Sequence, residues 1–467
     1  MRLALPLLLF RPRRPLARGA AWLATLLALL VLASLPARAQ SLLRDAETER
    51  FLHDVSRPIF EAAGLKPRAV DFYLVGDPSI NAFVTGGQNI FVHSGLILAA
   101  DNVDQLVGVI AHETGHITGG HLVRFDDGIK GARNISILSM LAGVAAMVAG
   151  AGDAGVAILS AGQSAAQGNF LAYSRVQEAA ADQAGADFLD RAGISGEGYL
   201  GFFRKLQEQE FRYGYTMDAY ARSHPLTGDR IAKLEERVKA SPVYAKPADP
   251  ALQERFLRIK AKLAGYVNDP GLTFQQYPPS DTSPAARLAR TYAYHKQANR
   301  EKAVAEIDAL LAVYPDDPYV LEIKAQVLME SGDVINAIPT LRRAVALAPA
   351  EPLIATTLGH ALVASENAAD LPEAIAILRR VIALDDENPF AWYQLGMAYS
   401  RSGDEPRAAL ATAERLSMSQ GNARDIAQSA QVAMRGLPQG TPDWIRAQDL
   451  LLIAQETLKT QQGRRRG

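Results

Sequence analysis

The chain has 467 residues, with 49 Lys and Arg against 50 Asp and Glu, and it contains no cysteine. At roughly 150 residues per domain there is room for two or three domains, and 48% hydrophobic against 21% charged residues excludes wholesale disorder. The balanced charge argues against a nucleic-acid binder acting through a basic surface. Without cysteine there is no disulfide, thiolate nucleophile or iron–sulfur cluster, so His, Asp and Glu must hold any metal.

Residues 1–39 carry six arginines and no acid, with an apolar run from Ala20 to Leu35 that closes on Ala37-Arg38-Ala39. This pattern reads as a secretory signal cut after Ala39, which gives a periplasmic address. The apolar run falls short of the ~20 residues that an uncleaved anchor needs. Helical spacing then covers 41–66, and strand-like pieces occupy 70–75, 82–84 and 89–92, with Gly86-Gly87 as a turn. A helix is expected over 104–122. Two apolar stretches, 135–148 and 156–159, flank a glycine-rich interval that includes Asp153. Each is too short to span a bilayer. They suggest a hairpin that covers the site or touches the membrane surface through 135–159.

Further helices are expected over 172–193, 195–213 and 252–266. The stretch 267–284, with Pro270, Pro278, Pro279 and Pro284, reads as a linker. Beyond it Pro318 and Pro352 stand 34 residues apart, and Pro389 follows after an insertion around Glu366–Asp370. Trp392, Leu395, Gly396 and Tyr399 fit W-x2-L-G-x2-Y, the opening of a tetratricopeptide repeat. Such helical pairs must stack to bury their apolar faces. The expected organisation is a signal (1–39), a domain over 40–266, a linker (267–284), about four repeats over 285–460 and a basic tail (461–467).

His112-Glu113-Thr114-Gly115-His116 spells H-E-x-x-H within the helical stretch. Spacing of i and i+4 puts both imidazoles on one face, able to grip one zinc ion, with Glu113 beside them as a base for a zinc-activated water. The next histidine, His121, falls one residue early for the longer H-E-x-x-H-x-x-G-x-x-H pattern. Glu178 and Asp182 follow at i and i+4 on another helix. Glu178 could complete a His2Glu set, and Asp182 could fix an imidazole tautomer. The alternative is two solvated acids on an amphipathic face. Ser223-His224-Pro225 and Asp229-Arg230 form a last constellation, with Arg230 able to pair with a carboxylate.

Taken together, H-E-x-x-H, the downstream E-x-x-x-D, and Asn81-Ala82-Phe83 with Gly86-Gly87 resemble the HtpX-like gluzincin metallopeptidases. The resemblance extends over 41–460, with added signal and repeats. It implies a mainly α fold: a zincin-like α+β peptidase domain with a small β-sheet, then an α-solenoid of tetratricopeptide repeats. It implies one zinc per chain on His112, His116 and Glu178, Glu113 as catalytic base, Asp182 and Arg230 behind the ligands, and His121 outside the ligand set. Asn81, Ala82 and Phe83 would form an edge strand along which an extended substrate adds. His224 would lie near the metal, either stabilising the oxyanion or taking the water position as a fourth ligand. The neighbouring segment 214–222, with Gly214, would let it move. Unfolded or stalled envelope proteins would be the substrates, and the repeats would dock outer-membrane assembly machinery. The rival reading is a non-proteolytic repeat chaperone with a latent or structural zinc site. An intact Glu113 argues against it.

Overall fold

The computed structural model describes residues 42–148, 152–213, 223–419 and 421–466. The signal segment 1–39, its cleavage after Ala39 and the segment 214–222 lie outside the described residues. Asp45 starts helix α1 (Ala46–Ala62) by accepting the backbone N–H of Thr48, as an N-cap does. Along α1, Phe51, Leu52, Val55, Ile59 and Phe60 recur at helical spacing, and all five are buried.

The sheet has four strands, β1 (Leu42–Leu43), β2 (Asp71–Val75), β3 (Ala82–Thr85) and β4 (Asn89–His93), in the order β1-β2-β4-β3. Strands β2 and β4 pair in parallel, with Phe72 opposite Ile90 and Leu74 opposite Val92. These four side chains point to the core and are buried. Gly86 and Gly87, both at positive φ (62° and 104°), let β3 fold back antiparallel on β4. β3 is therefore an edge, paired on one side only.

Helices α2 (Ser94–Ala99) and α3 (Val103–Thr118) follow, and α3 is buried from Gln105 through His116. Next come α4 (His121–Val148) and α5 (Gly152–Ala192), which pack as a long hairpin. The helix expected at 172–193 is thus the end of a 41-residue one. Helices α6 (Glu197–Tyr213) and α7 (Gly228–Lys239) complete the layer over α3 and α5.

Helix α8 (Pro250–Val267) joins the two parts. Its Lys262 is buried and ion-paired to Asp45 and Glu47, while its Arg258 bridges Glu47 and Asp317. Asp317 in turn caps a repeat helix. The stretch 267–284 holds a further helix, α9 (Pro270–Gln276). Ten helices then run in pairs: α10 (Pro284–Lys296), α11 (Arg300–Val313), α12 (Pro318–Glu330), α13 (Val334–Leu347), α14 (Pro352–Ala364), α15 (Leu371–Leu384), α16 (Pro389–Arg401), α17 (Glu405–Met418), α18 (Ala423–Gly436) and α19 (Pro442–Arg466). Pro318, Pro352 and Pro389 each occupy the first helical position, where a missing N–H costs nothing. Trp392, Leu395 and Tyr399 are buried between successive helices. The fold is mainly α, a first part with a small sheet followed by tetratricopeptide-type helix pairs. No helix among the described residues is long and apolar enough to cross a membrane.

Candidate metal centre

Helices α3 and α5 cross at contact distance because small residues meet there. A Cβ on Gly115 would come within 2.7 Å of the Ala181 carbonyl oxygen, and one on Gly185 within 3.1 Å of Ala111. The crossing brings His112 and His116 of α3 to Glu178 of α5. We expect Gly115→Ala to push the helices apart, cost about 1–3 kcal/mol of stability as overpacking does and weaken metal binding. A thermal melt and a metal titration would check it. Unchanged values in both would mean that the crossing can relax.

His112 Nε2 lies 3.1 Å from His116 Nε2. Glu178 brings Oε2 to 3.4 Å from His112 Nε2 and Oε1 to 3.4 Å from His116 Nε2. His224, which begins the chain after 214–222, brings Nδ1 to 3.3 Å from His112 Nε2 and 3.1 Å from Glu178 Oε1. All four donors lie within 4.8 Å of one another and are buried. Donors 2.0–2.1 Å from one ion in a tetrahedron stand about 3.3–3.4 Å apart. The observed spacings fit a tetrahedral cation such as zinc, and the donor set of imidazoles and a carboxylate suits it.

The outer atoms of the cluster hold it in place. Asp182 Oδ1 stands 3.0 Å from His112 Nδ1, and Tyr199 donates its hydroxyl to the same oxygen at 3.0 Å. A carboxylate can only accept, so Nδ1 carries the hydrogen and Nε2 faces the cluster. Arg230 donates from Nε to Asp182 Oδ2 and from Nη2 to Oδ1, both at 2.7 Å. Its Nη1 reaches Glu178 Oε2 at 3.2 Å and donates to the Pro225 carbonyl at 2.8 Å. One guanidinium thus ties the His224 segment to both acids of α5. His121 Nδ1 meets His116 Nδ1 at 2.9 Å, outside the donor set. Gly119 leaves room for that ring, since a Cβ there would fall 2.3 Å from His121 Nε2.

Burial and neighbours set the charges. Burial works against a charged His112, but hydrogen bonds to Asp182 and Glu178 prevail and carry it up to about 9. His116 is pushed well below its ordinary value by burial and by His112 and His224. Burial would raise Glu178, yet the surrounding His224 and His112 hold it well below the carboxylate range. Burial likewise opposes Asp182, and Arg230 wins. Glu113 goes the other way, raised by burial. It is fully buried, its oxygens accept no hydrogen bond, and His224 Nε2 stands 3.6 Å from Oε1.

A cleft of about 300 Å³ opens on these groups, lined by Phe83 and Val84 of β3, by Glu113, His116 and Glu178, and by His224. The edge strand thus runs beside the cluster. Asn81 lies at its start and accepts a hydrogen bond from Ser223 at 3.2 Å. Sequence reasoning missed Tyr199 and Phe203. Phe203 packs edge-on to the His112 ring and under the Arg230 guanidinium. Both come from α6, far from either motif, and only their helical spacing marked them. His93, at the end of β4, meets Ser79 Oγ with its Nδ1 at 2.9 Å.

Residues 45–238 match the family model described as Peptidase family M48. They are a family M48 peptidase domain. The chain is 27% identical to the beta-barrel assembly-enhancing protease of Yersinia pestis over 74% of this chain and 71% of that one. It is 26% identical to the protease of the same name from Escherichia coli K12, over 49% of this chain and 45% of that one. Among solved structures, the tetratricopeptide-repeat protein YrrB is similar, with 17% identity, a TM-score of 0.31, and coverage of 38% of this chain and 91% of that one. Residues 45–238 thus carry a metallopeptidase domain of the HtpX-like gluzincin kind, and the helix pairs described above follow it.

Proposed function

We propose that this chain is a zinc-dependent endopeptidase of the periplasm, acting on misfolded or stalled outer-membrane and other envelope proteins, with residues 40–266 as the peptidase and 285–460 as the docking repeats. The observation that carries this reading is the buried tetrahedral set of His112, His116, Glu178 and His224 with Glu113 beside it. In this reading one zinc rests on His112, His116 and Glu178. Bound there, it supplies Lewis acidity that polarises a peptide carbonyl and acidifies water. The rest is done by the chain. An extended substrate adds to the open edge of β3, where backbone hydrogen bonds fix its register beside the cluster. Glu113 takes the proton of the attacking water on a carboxylate oxygen and returns it to the leaving amine. Asp182, Tyr199 and Arg230 hold His112 and Glu178 in place.

The names of the relatives support the substrate class, since two of them are beta-barrel assembly-enhancing proteases. The repeats support docking. Between them and the first residues of the peptidase part lies a cavity of about 520 Å³, lined among others by Arg44, Glu322, Thr356, His360 and Phe390. The deciding experiment is zinc analysis together with cleavage of an unfolded outer-membrane protein by the purified chain. Stoichiometric zinc and cleavage that a chelator stops are expected. Zinc without cleavage would favour a chaperone with a structural metal.

Two roles compete for His224, and the distances of its Nδ1 to His112 and Glu178 favour that of a fourth ligand closing the site. His224→Ala should then raise cleavage severalfold with zinc retained on three ligands. A fall of roughly 10²–10³ in turnover, as for a lost oxyanion donor, would assign His224 to the substrate instead.

A further inference from the structure

The outer face of the α4–α5 hairpin has no role in the chemistry above. Between Arg133 and Arg175 the chain has a single charged residue, Asp153. Ser139 and Gly143 of α4 face α5, for a Cβ on Gly162 would meet Ser139 and one on Gly143 would meet Leu159 at 2.7 Å. The opposite face of α4 therefore points away from its partner helix. It carries Ile137, Leu138, Met140, Leu141 and Val144, which are 43–67% exposed, whereas Met147 turns towards Gly155 of α5. Such a contiguous apolar face on a soluble chain marks an interaction site.

Helical spacing puts Lys130 and Arg133, both exposed, on this same face, one to two turns before Ile137. Exposed positions along the middle of α5 are different in kind, with Ser160, Gln163, Ser164, Gln167 and Asn169, while Val156, Leu171 and Val176 are exposed nearer its ends. The hairpin is thus apolar along the outer face of α4, polar and uncharged along the middle of α5, and cationic towards its base. A protein partner would find no hydrogen-bonding side chain among these five large apolar residues, whereas protein interfaces average about one hydrogen bond per 100–200 Å². A lipid surface asks for that composition: apolar residues entering the acyl boundary, cations at the headgroups and a polar back in water.

We propose that the outer face of α4 docks, lying in the plane, on an anionic phospholipid surface. Spanning is ruled out by length. The outward apolar turns from Ile137 to Val144 cover about 12 Å at 1.5 Å per residue, against about 30 Å of hydrocarbon. The base of α5 contributes Tyr173, Ser174 and Gln177 to the catalytic cleft, so docking would hold the site beside the membrane.

Flotation of the purified chain with vesicles of phosphatidylcholine, alone or mixed with phosphatidylglycerol, tests this. The chain should float with the mixed vesicles. Leu138→Gln, Leu141→Gln and Val144→Gln together should lower partition at least roughly tenfold, with the melting curve retained. Arg133→Gln should lose about fivefold on the anionic vesicles alone, as one cation near such a surface contributes. Failure of the unaltered chain to float with either vesicle would overturn the proposal. So would a triple variant that floats equally well, or one that only turns a dimer into a monomer, which would make the face an interface between copies. Should the triple variant misfold, Leu141→Trp decides. A blue shift of its added emission on anionic vesicles supports docking, and an unchanged spectrum overturns it.

Discussion

Glu113→Gln is expected to remove peptide hydrolysis while leaving zinc content and melting temperature unchanged. Glutamine keeps the volume and one acceptor of the side chain but cannot take a proton. A general base contributes roughly 10²–10⁴-fold, so kcat should fall by at least that much while KM moves little. The site explains why this glutamate suits the task. Burial raises its pKa and neither oxygen is spent on a hydrogen bond. A carboxylate so placed is more basic than one in water and keeps its lone pairs for the substrate's water. Assay of the variant at saturating zinc on an unfolded outer-membrane protein reads the effect. Undiminished turnover would mean that another group takes the proton, and loss of zinc would make Glu113 a ligand.

What was legible in the sequence follows the range of each signal. H-E-x-x-H is local: five residues of one helix fix their own geometry, and α3 places His112 and His116 one turn apart with their Nε2 atoms 3.1 Å from each other. The strands were legible for the same reason, since alternation and Gly86-Gly87 are local too. Glu178 and Asp182 could be read as solvated acids on spacing alone, because nothing within α5 says which face is buried. Only the crossing at Gly115 and Ala181 decides it. Tyr199 and Phe203 carry no motif, and their part is set by the packing of a third helix. The repeat period foretold stacked pairs, but not the ion pairs of Lys262 and Arg258 that tie them to α1. Those depend on two charged residues from one helix meeting Asp45, Glu47 and Asp317 far along the chain. The hairpin was legible as apolar pieces, while its one-sidedness required knowing which face Ser139 and Gly143 turn inward.

Removing the Glu178 carboxylate tests the ligand set most severely, and the structure makes the expected result depend on His224. In Glu178→Ala the remaining donors are three imidazoles, His112, His116 and His224, and three histidines are themselves a zinc set. The single variant should therefore retain weakened zinc, and hydrolysis should fall because the open position would move from where His224 now binds to where Glu178 stood. Adding His224→Ala leaves two donors, and stoichiometric zinc should disappear. The loss in the double variant should exceed the roughly 10–100-fold that follows removal of an outer partner. It should also exceed the product of the two single losses, because each residue replaces the other in the single variants. Zinc titrations of all four proteins at neutral pH measure this coupling. Full zinc affinity in Glu178→Ala with His224 also removed would take Glu178 out of the site. Additive losses would place His224 outside the coordination sphere and return it to a role on the substrate.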